Sequence, residues 1–280
     1  MMRGKPEIRR ILVALDASPD SLAALEAAAK LARHLQAELV GLYVEDINVL
    51  RVAELPFARQ VTFAGDVRPV KPGEVEAQFR AQADRAKSAL ARVANRSHLR
   101  WSFRVSRGQI AAELIAATPE MDLITIARLG GSPLVKRGLG RTARAVLAEA
   151  TLPVLLLGRQ LHLALPALVL FDDSNAAKTA LALGFRLSAE KPDSLVVLLT
   201  ATSPDEIQQL KKTVREHLAE AGGKEPRFRI VSPIDASNLS QACADEGAGV
   251  LILPSPSLLH GDTGLEALLV QLEVPVLIVR

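Results

Sequence analysis

The chain has 280 residues, 49% hydrophobic and 23% charged, with a formal net charge of +3; this suits two globular domains of ordinary size and excludes global disorder. So small a charge, with one Trp and one Tyr, argues against nucleic acid as a partner, and the lone Cys243 and five scattered histidines exclude a disulfide framework and any metal-ligand spacing. No secretory signal opens the chain, and no apolar run approaches the ~20 residues that cross a bilayer, so a cytoplasmic protein without a membrane partner is expected.

Arg10–Leu15 is a short apolar run that ends in the turn and cap residues Asp16–Asp20, followed by an Ala/Leu-rich stretch to Leu35: strand, loop, helix. Glu38–Val44 reads as a second buried strand. A helix is predicted from about Glu74 to Ala94, and a third strand, with one face less buried, over Leu99–Val105. Gly108 opens a helix through Ala117, Asp122–Ala127 is a fourth strand, Arg141–Ala150 a helix and Pro153–Leu157 a fifth strand. Short connections between alternating strands and helices require a parallel sheet, because each helix returns the chain to the starting edge.

The second half repeats the order. Ala167–Phe171 followed by Asp172, Asp173 and Ser174 echoes Ile11–Leu15 followed by Asp16, Ala17 and Ser18, and both halves close on Pro-Val-Leu, at Pro153 and Pro275. Strands two to five are predicted at Leu195–Leu199, Arg227–Val231, Val250–Leu253 and Pro275–Val279. Asp16 and Pro153 lie 137 positions apart and Asp172 and Pro275 only 103. Most of the difference precedes strand four, which places an insertion at about 45–73, a proline-bearing excursion without clear periodicity that is either a passive loop or a lid or binding loop. The domains are read as 1–158 and 159–280, with the boundary near Gly158–Pro166.

In open parallel sheets ligands sit beyond the C-terminal ends of the strands, where helix N-termini gather. Asp16 and the loop after strand four occupy such positions, although Asp16 and Ser18 also suit a helix cap. Arg128, Lys136, Arg137, Arg141 and Arg144 surround that loop; they suit a polyanion, or a solvated basic face, or pairs with acids of the other half. Phosphate-loop, dinucleotide, nucleophile-elbow and paired-histidine motifs are absent, and no catalytic base is identifiable.

Ile11–Ser18, Leu42–Val44, Asp122–Ile124, Gly130, Gly140 and Leu152–Leu155 together resemble the universal stress protein family, and the similarity extends over both halves. The resemblance implies two tandem five-stranded parallel-sheet domains of Rossmann-like, adenine nucleotide alpha hydrolase-like fold. It also implies an internal pseudo-dimer joined through the fifth strands Val154–Leu157 and Val276–Val279, able to pair again as a homodimer. The family's nucleotide-binding branch holds ATP phosphates on Gly-x-x-Gly, nine residues, then Gly-Ser/Thr. Here the matching positions are Ala127, Arg128 and Gly130, then Gly131–Leu139, then Gly140, Arg141 and Thr142. The first glycine is replaced by Ala127 and the hydroxyl position by Arg141, which implies a weakened ATP site with arginine where the family has a hydroxyl. By this carry-over Asp16, with Ser18 beside it, lies near adenine or ribose, the Val44 backbone contacts adenine, and Gly130, Gly140, Arg141 and Thr142 face phosphates, with Mg only alongside nucleotide. The second half, with prolines around Leu253–Ser257, does not keep the loop and reads as a structural mate. The function implied is stress-response regulation with an adenine nucleotide or another phosphate ligand in the first domain and a protein partner of unknown identity. The alternative is a ligand-free interaction scaffold with both sites degenerate; a nucleotide hydrolase is a third reading that lacks a catalytic residue.

Overall fold

A computed structural model describes residues 8–61, 67–128, 139–157, 163–189, 191–201, 203–254 and 262–280. The first half runs β1 (Arg10–Ala14), α1 (Pro19–Leu35), β2 (Glu38–Asp46), α2 (Ile47–Ala53), β3 (Arg59–Val61), β4 (Val67–Pro69), α3 (Pro72–Arg96), β5 (Trp101–Gly108), α4 (Ile110–Ala116), β6 (Leu123–Ala127), α5 (Arg141–Glu149) and β7 (Val154–Leu157). The second runs β8 (Ala167–Phe171), α6 (Asn175–Leu187), β9 (Leu195–Leu199), α7 (Pro204–Glu220), β10 (Arg227–Ile230), α8 (Ala236–Asp245), β11 (Val250–Pro254), α9 (Asp262–Gln271) and β12 (Val276–Val279).

The strands form one ten-stranded sheet in the order β10-β9-β8-β11-β12-β7-β6-β1-β2-β5. Read outward from its middle, each half presents the same arrangement, and every neighbouring pair is parallel except β12 with β7. At that central join Val276 faces Leu156, Leu277 faces Leu155 and Ile278 faces Val154, all fully buried. The two fifth strands therefore pair as the sequence resemblance implies.

Alternation along the strands divides the core in two, one layer on each side of the sheet. Ile11, Val13, Val169 and Leu277 point to the side covered by α1, α3, α6 and α7, while Leu12, Leu168 and Ile278 point to the side covered by α4, α5, α8 and α9. A sheet covered on both faces needs strands that are apolar throughout, which is why Leu195–Leu199 and Val250–Pro254 are buried at every position. Helix α1 starts where Ser18 caps it with Pro19 at the first helical position, buries a run of alanines that lets it lie close to the sheet, and stops where Gln36 turns left-handed.

The sheet's outer strands are guarded by charge. On β5, Arg104 meets Glu120 at 2.6 Å and Arg107 meets Glu45 at 2.7 Å; on β10, Arg227 meets Glu246 at 3.0 Å and Arg229 meets Asp245 at 2.6 Å. Such residues discourage edge-to-edge association. The structure also lengthens the third strand. Gly108 ends β5 instead of opening α4, which begins after Gln109, and a Cβ on Gly108 would lie 2.2 Å from Glu113 Oε1. Residues 45–73, read as an unpatterned excursion, contain α2 and the β3–β4 hairpin.

Truncating the central join should cost the stability of the whole chain. Leu277→Ala is expected to lower unfolding free energy by about 2–5 kcal/mol, because the seam cannot collapse around a void; urea denaturation followed by circular dichroism measures it.

Candidate functional site

The turn between β1 and α1 is built by its own side chains. Ala17 adopts a left-handed conformation (φ 59°), which lets the Ser18 N–H donate to Asp16 Oδ1 at 2.9 Å, while Ser18 Oγ accepts from the Ser21 N–H at 3.2 Å. The second half repeats this turn atom for atom: Asp173 has φ 65°, the Ser174 N–H donates to Asp172 Oδ1 at 3.1 Å, and Ser174 Oγ accepts from the Ala177 N–H at 3.1 Å. Ser18 is thus the cap of α1, and Asp16 spends one carboxylate oxygen on the turn. Asp16 remains exposed at the C-terminal edge of the sheet.

A cavity of ≈ 100 Å³ opens beside it, lined by Asp16, Val44, Ala127 and Thr142 although they come from four separate segments. Its floor is apolar, made by Leu15, Leu42, Ile110, Leu114 and Ile126, with Ser21 at the rim. These floor residues escaped the sequence reading because each looks like ordinary core; their signal was position, at the C-terminal ends of β1, β2 and β6 and at the start of α4. The space is smaller than the roughly 300–1,000 Å³ of typical small-molecule sites. Residues 129–138, which include Gly130, Lys136 and Arg137 and lie in sequence between Ala127 and Thr142, are outside the described residues.

Helix α5 begins at this cavity. Gly140 is its N-cap and supplies no side-chain acceptor, no acid stands in its first turn, and Arg141 is exposed there. The contrast with α1, which has Ser18 and Asp20, is chemical: no N-cap side chain takes up the first amides of α5 and no acid offsets the positive potential of that helix end. The Gly140 N–H donates to the Arg128 carbonyl at 2.8 Å, so the two ends of the glycine loop are tied together.

Arg128 corrects the sequence reading. Its backbone stands at the loop, but its side chain is buried, and the guanidinium donates to the Leu269 and Leu272 carbonyls at the C-terminal end of α9, the latter at 2.8 Å. The physical reason is the concentration of unsatisfied carbonyls and negative potential at a helix C-terminus, which a guanidinium fork suits. Arg144 likewise turns to the second half and pairs with Glu266 at 2.8 Å. The cluster therefore divides: Arg141 is exposed in the first turn of α5 and does not line the cavity, whereas Arg128 and Arg144 join the halves. Two more arginines do the same, Arg280 donating to the Leu147 carbonyl at the end of α5 and Arg186 to the Leu35 carbonyl of α1.

On the opposite face of β2, Tyr43 is buried and donates to Gln82 Oε1 at 2.7 Å. Burial first, then the Glu45 and Asp16 carboxylates, push its phenol up to about 12. Among the described residues no cluster of three or more His, Cys, Asp or Glu is placed to hold a metal ion, and no helix is long and apolar enough to cross a membrane.

A sequence model of the universal stress protein family matches residues 7–158. The fold is similar to that of a universal stress protein from Archaeoglobus fulgidus DSM 4304, at 18% identity over 98% of both chains with a TM-score of 0.72. A protein from Pseudomonas aeruginosa UCBPP-PA14, described as a universal stress protein, matches at 17% identity over 99% of this chain and 94% of its own, with a TM-score of 0.60. No curated protein sequence matches the chain.

Two measurements check the geometry. Arg128→Met is expected to cost about 1.5–3 kcal/mol of stability, the value of charged hydrogen bonds to buried carbonyls, while Arg141→Met should stay within roughly 0.5 kcal/mol of the parent; chemical denaturation of both reports the difference. Tyr43, the chain's one tyrosine, should ionise at about 12 in the folded protein, against roughly 10 when unfolded. Since the folded state holds the proton longer, stability is complete below pH ~10 and is lost as pH rises towards 12; phenolate absorbance against pH gives the value, and Tyr43→Phe should remove that part of the loss.

Proposed function

The chain belongs to the universal stress protein family, and from that premise we propose that it is a cytoplasmic stress-response regulator whose first domain, residues 1–158, binds an adenine nucleotide or a related phosphate ligand. Residues 159–280 act as the structural mate. The observation that carries this reading is the convergence of Asp16, Val44, Ala127 and Thr142 on one cavity at the uncapped start of α5.

Each part of the site has a chemical task. The apolar floor accepts a flat base, and Val44, one of the lining residues, offers its backbone to that base. Asp16 is an acceptor for ribose hydroxyls or an exocyclic amine through the oxygen its turn does not use. The α5 amides, the Thr142 hydroxyl and the Arg141 guanidinium meet phosphate oxygens, the amides through the same dipole that makes helix N-termini anion sites. Ala127 in place of glycine brings a methyl group to the cavity wall, and Arg141 offers a charged fork in place of a hydroxyl. Magnesium would enter only with the nucleotide, held by phosphates, since the described residues supply no acidic cluster of their own.

The test is calorimetric titration of ATP into the purified full chain, together with mass spectrometry of any ligand released on denaturation. Saturable heat is expected, with Asp16→Ala and Arg141→Glu each weakening binding roughly tenfold or more, as loss of a hydrogen bond to a charged group implies. Absence of both heat and co-purified nucleotide would sink the reading in favour of a ligand-free scaffold.

A further inference from the structure

Six of the nine large hydrophobic side chains that stand exposed among the described residues fall within residues 49–67: Val49, Val52, Leu55, Phe57, Val61 and Val67. Their exposure is built by local geometry. Helix α2 buries Leu50 and Ala53 and so turns Val49 and Val52, one turn apart, towards solvent. In the hairpin Val61 faces Val67 directly across the strands, a pair whose side chains share one face. Phe57 is 76% and Val61 71% exposed, values of side chains that project outward and do not line a groove.

The hairpin is otherwise poorly supported. Among the described residues, strands β3 and β4 pair in a sheet only with each other, and an isolated pair of short strands is marginal in water. Between residues 47 and 71, Arg51, Arg59, Arg68 and Lys71 stand against the acids Glu54 and Asp66, with Glu45 and Asp46 at the end of β2 just before them. Lys71 pairs with Glu74 at 3.6 Å, and Arg51 and Arg59 have no ion pair among the described residues. Projecting apolar side chains and the exposed cations Arg51, Arg59, Arg68 and Lys71 thus share the stretch of chain that follows β2, the strand that carries Val44 to the cavity.

We propose that α2 and the β3–β4 hairpin form a docking surface for the anionic headgroup face of a lipid bilayer. Lipid chains yield around a projecting Phe or Val, so no complementary groove is needed, and acidic headgroups take up the arginines. A second copy of this chain fits less well, because an isologous contact would bring two copies of the same arginine-bearing patch together. An added peptide strand fits less well too: each strand offers three residues, and Pro69 of β4 has no N–H to give. The sequence excludes a spanning segment; a surface contact of this kind becomes visible only once the fold shows which side chains face out.

The experiment is co-flotation of the full chain with vesicles of phosphatidylcholine alone and of phosphatidylcholine mixed with phosphatidylglycerol. Binding is expected to the mixed vesicles and not to the neutral ones, and to fall as salt screens the arginines. Phe57→Ser with Val61→Ser should reduce it roughly tenfold by removing the apolar anchor, and Arg59→Glu with Arg68→Glu should do so by reversing the charge. All four positions are exposed or on the hairpin, so an unchanged melting temperature and circular dichroism spectrum show that the variants still fold. No flotation with the mixed vesicles overturns the proposal, as does flotation that both variants retain. A parent dimer that Phe57→Ser with Val61→Ser dissociates, without vesicle binding, assigns the surface to a second copy and overturns it equally. None of these readouts depends on nucleotide, so this idea and the ligand-binding reading can fail separately.

Discussion

The antiparallel pairing of β7 with β12 is the contact on which the rest of the molecule depends. A five-stranded half with its fifth strand at the margin would leave Val154–Leu157 or Val276–Val279 with an open row of N–H and C=O groups on a strand that is apolar on both faces. Each half supplies the missing neighbour to the other. Because the two strands run in opposite directions, the halves are related by an approximate two-fold axis, which brings α1 beside α6 on one face of the sheet and turns Arg144 of α5 to Glu266 of α9 on the other.

That arrangement explains the arginines. Helix C-termini brought to the join present carbonyls with no helical partner, and water has poor access to them. Arg128, Arg186 and Arg280 each reach from one half to the helix end of the other. A guanidinium suits this task because it stays charged when buried and each of its terminal nitrogens carries two N–H groups; Arg128 meets both the Leu269 and Leu272 carbonyls through Nη1. Of the cluster that the sequence left open between a polyanion site, a solvated face and pairs with the other half, Arg128 and Arg144 turn to the interface and Arg141 stays exposed.

What was legible in the sequence was local. Apolar runs ending in turn residues gave the ten strands of the main sheet, and the Asp16–Ser18 and Asp172–Ser174 turns match in detail because short-range hydrogen bonds fix them. The direction of Arg128 was not legible, since its acceptors lie 141 and 144 residues away in sequence and exist only once the second half has folded. The β3–β4 hairpin was missed for the converse reason: three-residue strands are too short for alternation to register. Gly108 misled through its composition, since glycine is common at helix boundaries, yet here it extends β5 beside Glu45 and Asp46. The cavity floor stayed hidden because leucine and isoleucine at strand ends carry the same signature whether they face core or ligand.

The second half, which lacks the glycine loop, still bears on the first half's cavity. Helix α5 presents its uncapped amides to that cavity, and its position is set from the other side of the join: Arg280 holds its C-terminal carbonyl at Leu147, and Glu266 holds Arg144 on its second turn. Arg128, anchored to the end of α9, fixes the carbonyl to which the Gly140 N–H donates, and Gly140 is the residue that starts α5. Both the first turn of α5 and its last are thus referenced to residues beyond Pro166. A half without a loop of its own can still be required, because the position of helix α5 beside the first half's cavity is built on it.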